Sequence, residues 1–434
     1  MMLLAIALKE NYRIISADIV GAYLNAKMKR DIYMKINRFE TNILCQLNND
    51  YKKFVNKDDN CIYVKLIKAL YGCIESAKLF YELLRDTLFK YGFKIHPLDE
   101  CIFLYENNKN KIFIATHVDD LLIAGNDESE LEKFKTFLNN EFNDIKYNEG
   151  EKHQYLGTNL NIKNESIEID MIDSINKIII DYGNIKQSTI PGTNDFFKNN
   201  ESKLLDKQEK EIFHKYVAKL LYVSRLARID ILGYVSYLST RVQIPTIEDK
   251  HKLEKLIGYL SYTIDKKLKL SNKISNQDGT ITINTFIDSS HGLHSDFRGR
   301  TGIIVKLGEC TIYARSSKQK INTKSSAETE LHGISEEISH PLWMKQWLEY
   351  IGYKIKNIDL YVDNKSTIIM MLTGKAIGRN TRHISIRTFF IKQYLDDGTI
   401  KIVFTPTDEL FADLLTKSVQ GKKLIKFTDK LMYE

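Results

Sequence analysis

The last third of the chain carries four carboxylates in four separate segments, and this arrangement constrains the fold more than any other feature. The four residues are Asp288 in TFIDSS, Glu330 in AETEL, Asp363 in YVDN and Asp413 in FADLL. Any one of them alone is most simply a turn residue or a helix cap. Together they match the ligands of two divalent cations about 4 Å apart, which can cut a phosphodiester. The sequence therefore predicts that these segments converge on a two-metal nuclease site.

The apolar pattern after the polar stretch at 271–280 predicts the elements that bring these carboxylates together. Its order is three strands, a helix, a strand, two helices, a strand and a final helix. Asp288 lies on the first strand and Glu330 on the first helix, which we expect to run unbroken through SSAETELHGISEEISHPLWMKQWLEY. Asp363 ends the fourth strand, and Asp413 lies in the final helix.

A second acidic pattern lies upstream. Asp18 ends the predicted strand YRIISADI, and Asp119 with Asp120 forms the tip of a predicted hairpin, KIFIATHVDDLLIAGN. Two adjacent carboxylates at a turn repel each other unless a cation lies near them. A solvated hairpin tip is the ordinary alternative. Combined with Asp18, the pair predicts a second metal site.

The rest of the chain has simpler patterns. Apolar residues at helical spacing predict amphipathic helices within 70–91 and over ESELEKFKTFLNNEF, and residues 211–264 are predicted to be mostly helical. The polar stretch at 37–60 is expected to be a loop or an insertion. These patterns predict a mixed chain with helices and strands in both halves.

Composition is consistent with a folded protein that has a polyanionic partner. The 434 residues, 43% of them hydrophobic, allow two or three domains. The net charge of +7 suits nucleic acid, although an excess of lysine also solubilises a surface. The five cysteines are scattered without zinc-ligand spacing, which favours a reduced, intracellular protein. The apolar run MMLLAIAL is too short to span a bilayer, so no membrane partner is expected.

The motifs together resemble the reverse transcriptase and ribonuclease H region of copia-type LTR retrotransposon polyproteins. ADIVGAYLNAKMKRDIYMKI resembles the first catalytic motif of the polymerase, HVDDLLIAG its Y-V-D-D hairpin, and LYGCIESAKLFYELL its template-contacting element. SSAETELHGISEEISHPLWMKQWL and FADLLTKSV resemble the nuclease of the same family. The segment between them is similar to the family's connecting region, so the resemblance covers nearly the whole chain.

This resemblance implies an α+β architecture. We expect a reverse-transcriptase palm with partial fingers over 1–190 and a helical thumb- or connection-like region over 191–275. An α/β ribonuclease H-like domain would follow over 276–434. The implied function is an RNA-directed DNA polymerase with ribonuclease H activity, working by two-metal phosphoryl transfer at two sites.

The resemblance also implies roles for individual residues. Tyr23 would be the aromatic gate at the nucleotide-binding site, facing the ribose 2'-hydroxyl. Glu330 is favoured over Glu328 because ETELHGI matches the family's A-E-L-x-A-L pattern. His383 would face the substrate near the nuclease cleft, or would be an ordinary surface histidine. The implied catalytic carboxylates, all of them metal ligands except Asp120, are Asp18, Asp119, Asp120, Asp288, Glu330, Asp363 and Asp413.

The implied cofactor is Mg²⁺, two ions per active site, with Mn²⁺ as a substitute. The implied partners are an RNA template, a DNA primer, an RNA–DNA hybrid, deoxynucleoside triphosphates and other polyprotein-derived subunits. The implied location is intracellular, in a cytoplasmic virus-like particle and in the nucleus.

The sequence departs from the family pattern in three places. His117 replaces a Tyr before VDD, and only seventeen residues precede Asp18, where the family has much of its fingers. The Q-A-P-R core of the template element is replaced by Glu75, Ser76, Ala77 and Lys78. An acid beside phosphate is unfavourable unless it faces away. Two alternatives therefore stay open: a truncated element with only ribonuclease H competence, or a non-catalytic remnant that binds nucleic acid.

Overall fold

A computed structural model describes residues 1–142, 144–198, 202–374 and 382–432. It groups the chain into two compact units. The first unit is residues 13–149, and the second is residues 1–12 with residues 150–434. The division into three functional domains at 1–190, 191–275 and 276–434 stays a prediction. No described helix has the length and apolar character that crossing a bilayer requires.

The strands are, in chain order, β1 (Arg13–Ile19), β2 (Tyr33–Ile36), β3 (Ile62–Lys65), β4 (Lys94–His96), β5 (Asp99–Asn107), β6 (Asn110–His117), β7 (Asp120–Gly125), β8 (Ile145–Asn148), β9 (Lys152–Tyr155), β10 (Thr158–Lys163), β11 (Ser166–Asp170), β12 (Leu268–Ser271), β13 (Ile281–Ser290), β14 (Arg300–Leu307), β15 (Cys310–Lys318), β16 (Ile355–Val362) and β17 (Ile400–Phe404).

The α-helices are, in chain order, α1 (Met2–Lys9), α2 (Arg38–Leu47), α3 (Ser76–Tyr91), α4 (Glu128–Glu141), α5 (Ile172–Tyr182), α6 (Lys207–Leu226), α7 (Leu232–Ser239), α8 (Ile247–Tyr262), α9 (Ser326–Glu337), α10 (Ser339–Tyr350), α11 (Lys365–Thr373), α12 (Arg382–Asp396) and α13 (Gly421–Leu431). Short 3-10 helices occur at Ala22–Asn25, Asn49–Phe54, Ile229–Ile231, Thr407–Glu409 and Phe411–Leu415.

A six-stranded sheet organises the first unit. Its strand order is β4-β5-β6-β7-β1-β8, so β1 lies between β7 and β8 and is antiparallel to both. The apolar stripes of α3 and α4 contribute to the same core as β1 and β7, through residues such as Phe80, Leu84 and Phe134. Burying a side chain of this size stabilises the fold by about 2 kcal/mol. This packing fixes β1 and β7, the strands that carry the acids of this unit.

The polar stretch at 37–60 is not the loop that its composition suggested. It contains helix α2, and the Asn37 side chain caps that helix by accepting hydrogen bonds from the N–H groups of Phe39 (3.0 Å) and Glu40 (3.3 Å). Asn is among the strongest N-cap residues, because its side-chain oxygen satisfies N–H groups that have no partner within the helix. The loop alternative was wrong because the asparagines were taken as loop formers and not as a cap, and the insertion alternative stays a prediction.

The helical region predicted at 211–264 is confirmed by α6, α7 and α8. Together with α5 these helices surround a core that is rich in aromatic residues. Leu220, Tyr234 and Leu256 are fully buried within it. This layer belongs to the second unit, as does a four-stranded sheet of order β12-β11-β10-β9.

A mixed five-stranded sheet of order β15-β14-β13-β16-β17 forms the last part of the second unit. Strands β13, β14 and β15 are an antiparallel meander, and β16 and β17 run parallel to β13. This is the strand order and direction of a ribonuclease H-like sheet, and it confirms the α+β fold class. The sheet places the ends of β13 and β16 side by side.

Two elements of this region differ from the prediction. The single helix predicted from Ser326 to Tyr350 is two helices, because Pro341 has no N–H to donate to the Glu337 carbonyl one turn earlier. Asp413 lies in a 3-10 turn, and the final α-helix begins later. The extended backbone of Leu410 (ψ 98°), whose side chain is fully buried, interrupts any helix there.

Candidate active sites

Asp288 lies near the end of β13, where the strand is buried on both faces. Its side chain is 1% exposed. Its partner across the antiparallel ladder is Gly302 on β14. A Cβ at Gly302 would lie 2.6 Å from the Leu415 Cβ and 3.1 Å from the Ala412 carbonyl oxygen. The glycine therefore lets the 3-10 turn that carries Asp413 lie directly against the sheet.

A second glycine brings helix α9 to the same place. A Cβ at Gly333 would lie 2.2 Å from the Ser289 Oγ and 2.8 Å from the Thr301 Oγ1. Glu330 is one turn earlier on this helix. The close approach at Gly333 therefore sets how near Glu330 lies to β13. Neither glycine was predicted from the sequence, although a glycine inside a helix or strand often marks a close approach.

Three of the four predicted nuclease acids gather at one point. One carboxylate oxygen from each of Asp288, Asp363 and Asp413 lies within 4.8 Å of the others. Asp363 directly follows β16, and its Oδ2 accepts a hydrogen bond from the Thr407 hydroxyl (2.8 Å). This spacing suits oxygen ligands of a shared divalent cation.

Glu330 on helix α9 is not part of this group of three, but its carboxyl group is close enough to feel the charges of Asp288 and Asp363. Its side chain is 4% exposed, and its Oε2 is buried without a hydrogen-bond partner. Burial raises the pKa of Glu330 well above its usual value, and the charges of Asp288 and Asp363 add to this rise. A buried carboxylate oxygen without a donor is costly unless a proton or a cation compensates it. The residues present therefore fit a metal centre.

Glu328, the competing acid, has a different position. Its Oε2 accepts from the Lys324 N–H (2.8 Å), while its own N–H donates to the Ser325 Oγ (3.2 Å). These two hydrogen bonds hold Glu328 at the N-terminus of α9. The geometry therefore favours Glu330 as the metal-facing residue, and its role stays a prediction.

Two lysines and a threonine that the sequence analysis did not single out contact the acids. Lys417 Nζ lies 3.1 Å from Asp288 Oδ1 and 2.7 Å from Asp413 Oδ1. Lys423 Nζ lies 2.7 Å from Asp413 Oδ2, and the Thr416 hydroxyl donates to Asp288 Oδ2. The four-residue interval between Asp413 and Lys417 was the one signal available in the sequence.

These contacts shape the electrostatics of the cluster. Burial raises the pKa of Asp288 to about 6, the Lys417 charge opposes this, and the Asp413 charge adds to it. Burial lowers the pKa of Lys417, but the charges of Asp288 and Asp413 outweigh it and raise that pKa above its ordinary value. The cluster is therefore an acidic site that its own lysines partly neutralise.

Glu330 and Asp363 open into a cleft of about 670 Å³. Its lining includes Glu330, Asp363, Lys417 and His291. The His291 Nδ1 lies 2.8 Å from the Thr329 Oγ1 on helix α9. His383, expected near this cleft, is outside the residues whose side chains the structure describes.

The first unit holds the second group of acids. Asp18 on β1 pairs in register with Asp120 on β7, and the Ile19 N–H donates to the Asp119 carbonyl (3.2 Å). Burial raises the pKa of Asp120, and the charges of Asp119 and Asp18 raise it further. Within the described part of the chain, the nuclease triad is the one group of three whose oxygens gather within 4.8 Å. Asp18, Asp119 and Asp120 are thus neighbours on adjacent strands, but their oxygens do not form such a tight cluster.

The turn that carries Asp119 is strained. His117 pairs with Asp120, which leaves a two-residue loop of Val118 and Asp119. Val118 has φ of +59°, a value that a β-branched residue rarely adopts. Positive φ at the first loop position is typical of a type II′ turn, which normally has glycine there. Such strain often marks a functional turn that the surrounding sheet holds in place.

Tyr23 lies in the 3-10 turn after β1, and its ring packs against that of Tyr71, with centroids 4.5 Å apart and the planes tilted by 39°. Burial raises the pKa of Tyr71, and the charges of Asp119 and Asp18 add to the rise. Tyr71, from the LYG turn, therefore belongs to the surroundings of the palm acids, and the sequence analysis missed it. The gate role of Tyr23 stays a prediction.

The unusual acid in the template element is neutralised within the first unit. Glu75 Oε1 lies 2.9 Å from Arg30 Nε, and the neighbouring Ser76 hydroxyl donates to the Leu70 carbonyl (2.6 Å). The negative charge that replaces the family's glutamine thus has a positive partner. It does not stand alone beside a template.

Comparisons with known proteins agree with this architecture. The family model described as "Reverse transcriptase (RNA-dependent DNA polymerase)" matches residues 1–192. Over 99% of its length the chain is 26% identical to the retrovirus-related Pol polyprotein from transposon RE1 of Arabidopsis thaliana, and it covers 28% of that protein. It is 24% identical to the Transposon Ty1-DR5 Gag-Pol polyprotein of Saccharomyces cerevisiae, again over 99% of the chain, and covers 24% of it. The chain thus spans about a quarter of these relatives.

A solved structure of Prototype Foamy Virus protease-reverse transcriptase aligns with 96% of this chain and 47% of its own, at 14% identity and a TM-score of 0.23. That overlap is too low to support an argument. The family match and the full-length relatives carry the assignment. Residues 1–192 match the reverse transcriptase family model, and over nearly its whole length the chain is similar to the Pol polyproteins of copia-type retrotransposons.

Proposed function

We propose that the second unit is a ribonuclease H that cuts the RNA strand of an RNA–DNA hybrid with two Mg²⁺ ions, for which Mn²⁺ can substitute. One observation carries this proposal: Asp288, Asp363 and Asp413 gather their oxygens within 4.8 Å beside the unpartnered buried oxygen of Glu330. Bound metal ions supply an activated water and a charge that stabilises the leaving oxygen.

The packing of the chain positions the carboxylates. Gly302 and Gly333 allow the Asp413 turn and helix α9 to lie close to β13, and β16 delivers Asp363 beside it. Asp288 and Asp413 contact the same Lys417 ammonium, and both carboxylates would hold the metal ions. Because a small displacement of a ligand slows phosphoryl transfer strongly, this packing is as important as the carboxylates themselves.

We also propose that the first unit is the palm of an RNA-directed DNA polymerase. The register between Asp18 and Asp120 and the strained turn at Asp119 support this proposal, together with the family match. Asp18 and Asp119 would hold Mg²⁺, and Tyr23 would face the sugar of the incoming deoxynucleoside triphosphate. The partners in this proposal are an RNA template, a DNA primer and other polyprotein-derived subunits, in an intracellular particle and in the nucleus.

The nuclease proposal is tested with a hybrid whose RNA strand carries an end label. We expect the full chain to cut the RNA in Mg²⁺ and to leave it intact in EDTA. Asp288→Asn should bind the hybrid with similar salt dependence but cut it at least a hundredfold more slowly, because the bridging carboxylate is lost. Folded wild-type protein that binds the hybrid and never cuts it would leave a nucleic-acid-binding remnant as the better account.

The polymerase proposal needs its own assay. Extension of a DNA primer on an RNA template by wild type should be weak or absent, and any extension should disappear with Asp119→Asn. Asp288→Asn is the matched control, since it should extend the primer as wild type does while losing nuclease activity. Cleavage without any extension by wild type would limit the chain to its nuclease.

A further inference from the structure

One ammonium group, that of Lys417, contacts two of the nuclease acids. Lys417 Nζ contacts Asp288 Oδ1 at 3.1 Å and Asp413 Oδ1 at 2.7 Å, and its side chain lines the cleft. These carboxylates come from β13 and from the 3-10 turn, which are distant in the sequence. Lys417 therefore links the two segments that the metal ions would also link.

The remaining oxygens of the two carboxylates already have donors. The Thr416 hydroxyl donates to Asp288 Oδ2, and Lys423 contacts Asp413 Oδ2 at 2.7 Å. Lys417 contacts the other oxygen of each carboxylate, Asp288 Oδ1 and Asp413 Oδ1. A Mg²⁺ ion binds oxygen at about 2.1 Å, so it would need the space between the same two oxygens. The ammonium and a bridging ion cannot occupy that space together.

The site also needs a positive charge when no metal is bound. Asp288 and Asp413 are each 1% exposed, and Glu330 is 4% exposed. Carboxylates buried so close together repel strongly unless a cation compensates them. Lys417 supplies that charge from one turn along the chain.

We propose that Lys417 is an internal counter-ion, which holds Asp288 and Asp413 together in the metal-free protein and leaves them when a divalent cation binds. Lys417 is then a positioning residue that competes with the metal. Its presence stabilises the empty site and weakens metal binding by the same interaction. Lys423 differs, because it also donates to the Thr407 carbonyl (2.8 Å) and is expected to stay in place.

The inference rests on the proposed function, since it assumes that cations bind these carboxylates. The test measures Mn²⁺ binding to the full chain by calorimetry, and thermal unfolding in EDTA and in saturating Mn²⁺. The variants are Lys417→Met and Lys417→Gln, which remove the charge. The matched control is Lys426→Met, which removes the same charge from helix α13, where Lys426 donates to the Asp408 carbonyl (3.2 Å).

We expect both Lys417 variants to bind Mn²⁺ about tenfold or more tightly than wild type, because a positive charge no longer opposes a doubly charged ion. They should melt at lower temperature than wild type in EDTA, and this difference should shrink or reverse in Mn²⁺. Lys426→Met should match wild type in both measurements. Unchanged or weaker Mn²⁺ binding by the folded Lys417 variants would overturn the inference.

Two further outcomes are distinguishable. Wild type and both variants that bind no Mn²⁺ at all would contradict the proposed function itself. If neither variant folds, a crystal structure of wild type with Mn²⁺ decides. A Lys417 Nζ more than about 4 Å from Asp288 Oδ1 supports the inference, and one still within hydrogen-bond distance of about 3.2 Å overturns it.

Discussion

Replacing Gly302 with alanine tests whether the nuclease site depends on the close approach of the Asp413 turn. The new Cβ would lie 2.6 Å from the Leu415 Cβ and 3.1 Å from the Ala412 carbonyl oxygen. Two carbon atoms normally approach to about 3.5–4.0 Å, so the turn must retreat by about 1 Å. Neither contact is the far end of a flexible side chain. The backbone that carries Asp413 must therefore move.

This shift has two calculable effects. Overpacking of this kind costs about 1–3 kcal/mol of the free energy of unfolding. A displacement of about 1 Å in a catalytic group can reduce the rate about a hundredfold. We therefore expect Gly302→Ala to remain folded, with a modest loss of stability and a large loss of hybrid cleavage.

The control is Val305→Ala, also on β14, where the wild-type side chain is fully buried. It leaves a small cavity and should cost about 1–2 kcal/mol without displacing Asp413. The assay measures urea denaturation and single-turnover cleavage for wild type and both variants. If Gly302→Ala cuts the hybrid within threefold of wild type, or if Val305→Ala loses as much activity, the reasoning about the Asp413 turn is wrong.

Three more predictions concern charge and strain. In EDTA, the contribution of Asp288 to the free energy of unfolding should fall by up to about 3 kcal/mol as pH rises from about 4 to about 6, because its raised pKa means that the folded state holds the proton to higher pH than the unfolded state. Urea denaturation of wild type and Asp288→Asn across this range measures the change. A contribution that rises with pH would contradict the burial argument. Val118→Gly should increase the free energy of unfolding by about 1 kcal/mol by removing the positive-φ strain, and destabilisation of the folded variant would show that the turn is relaxed. Glu75→Gln should change stability by less than about 1 kcal/mol, since its pair with Arg30 is at the surface, while binding to a primed template tightens; weaker template binding would mean that the acid has a direct role.

The sequence predicted the parts of this fold that depend on periodicity. Strand β13, the hairpin of β6 and β7, and the helices of 211–264 were all visible as apolar patterns, because burial of one face or stripe decides them. The order of the strands after residue 280 was also predicted from these patterns. Of the four segments expected to converge, those that carry Asp288, Asp363 and Asp413 bring their carboxylates within 4.8 Å of one another.

The missed features depend on contacts between segments that are distant in the sequence. Gly302 is important because of Leu415, and Lys417 because of Asp288, and no local pattern contains either pair. The unbroken helix predicted through Pro341 was an avoidable error, since proline interrupts helical hydrogen bonding. Asp413 was predicted to lie in the final helix, whereas it lies in a 3-10 turn that follows the extended backbone of Leu410 and precedes that helix.

The central claim is that four carboxylates of the second unit form one two-metal site. The most direct measurement is anomalous scattering from crystals of the full chain grown with Mn²⁺. The account predicts two Mn²⁺ ions about 4 Å apart, with Asp288 bridging them and with Glu330, Asp363 and Asp413 as the other protein ligands. Crystals in saturating Mn²⁺ with no ion between these carboxylates, or with ions bound only elsewhere, would contradict it.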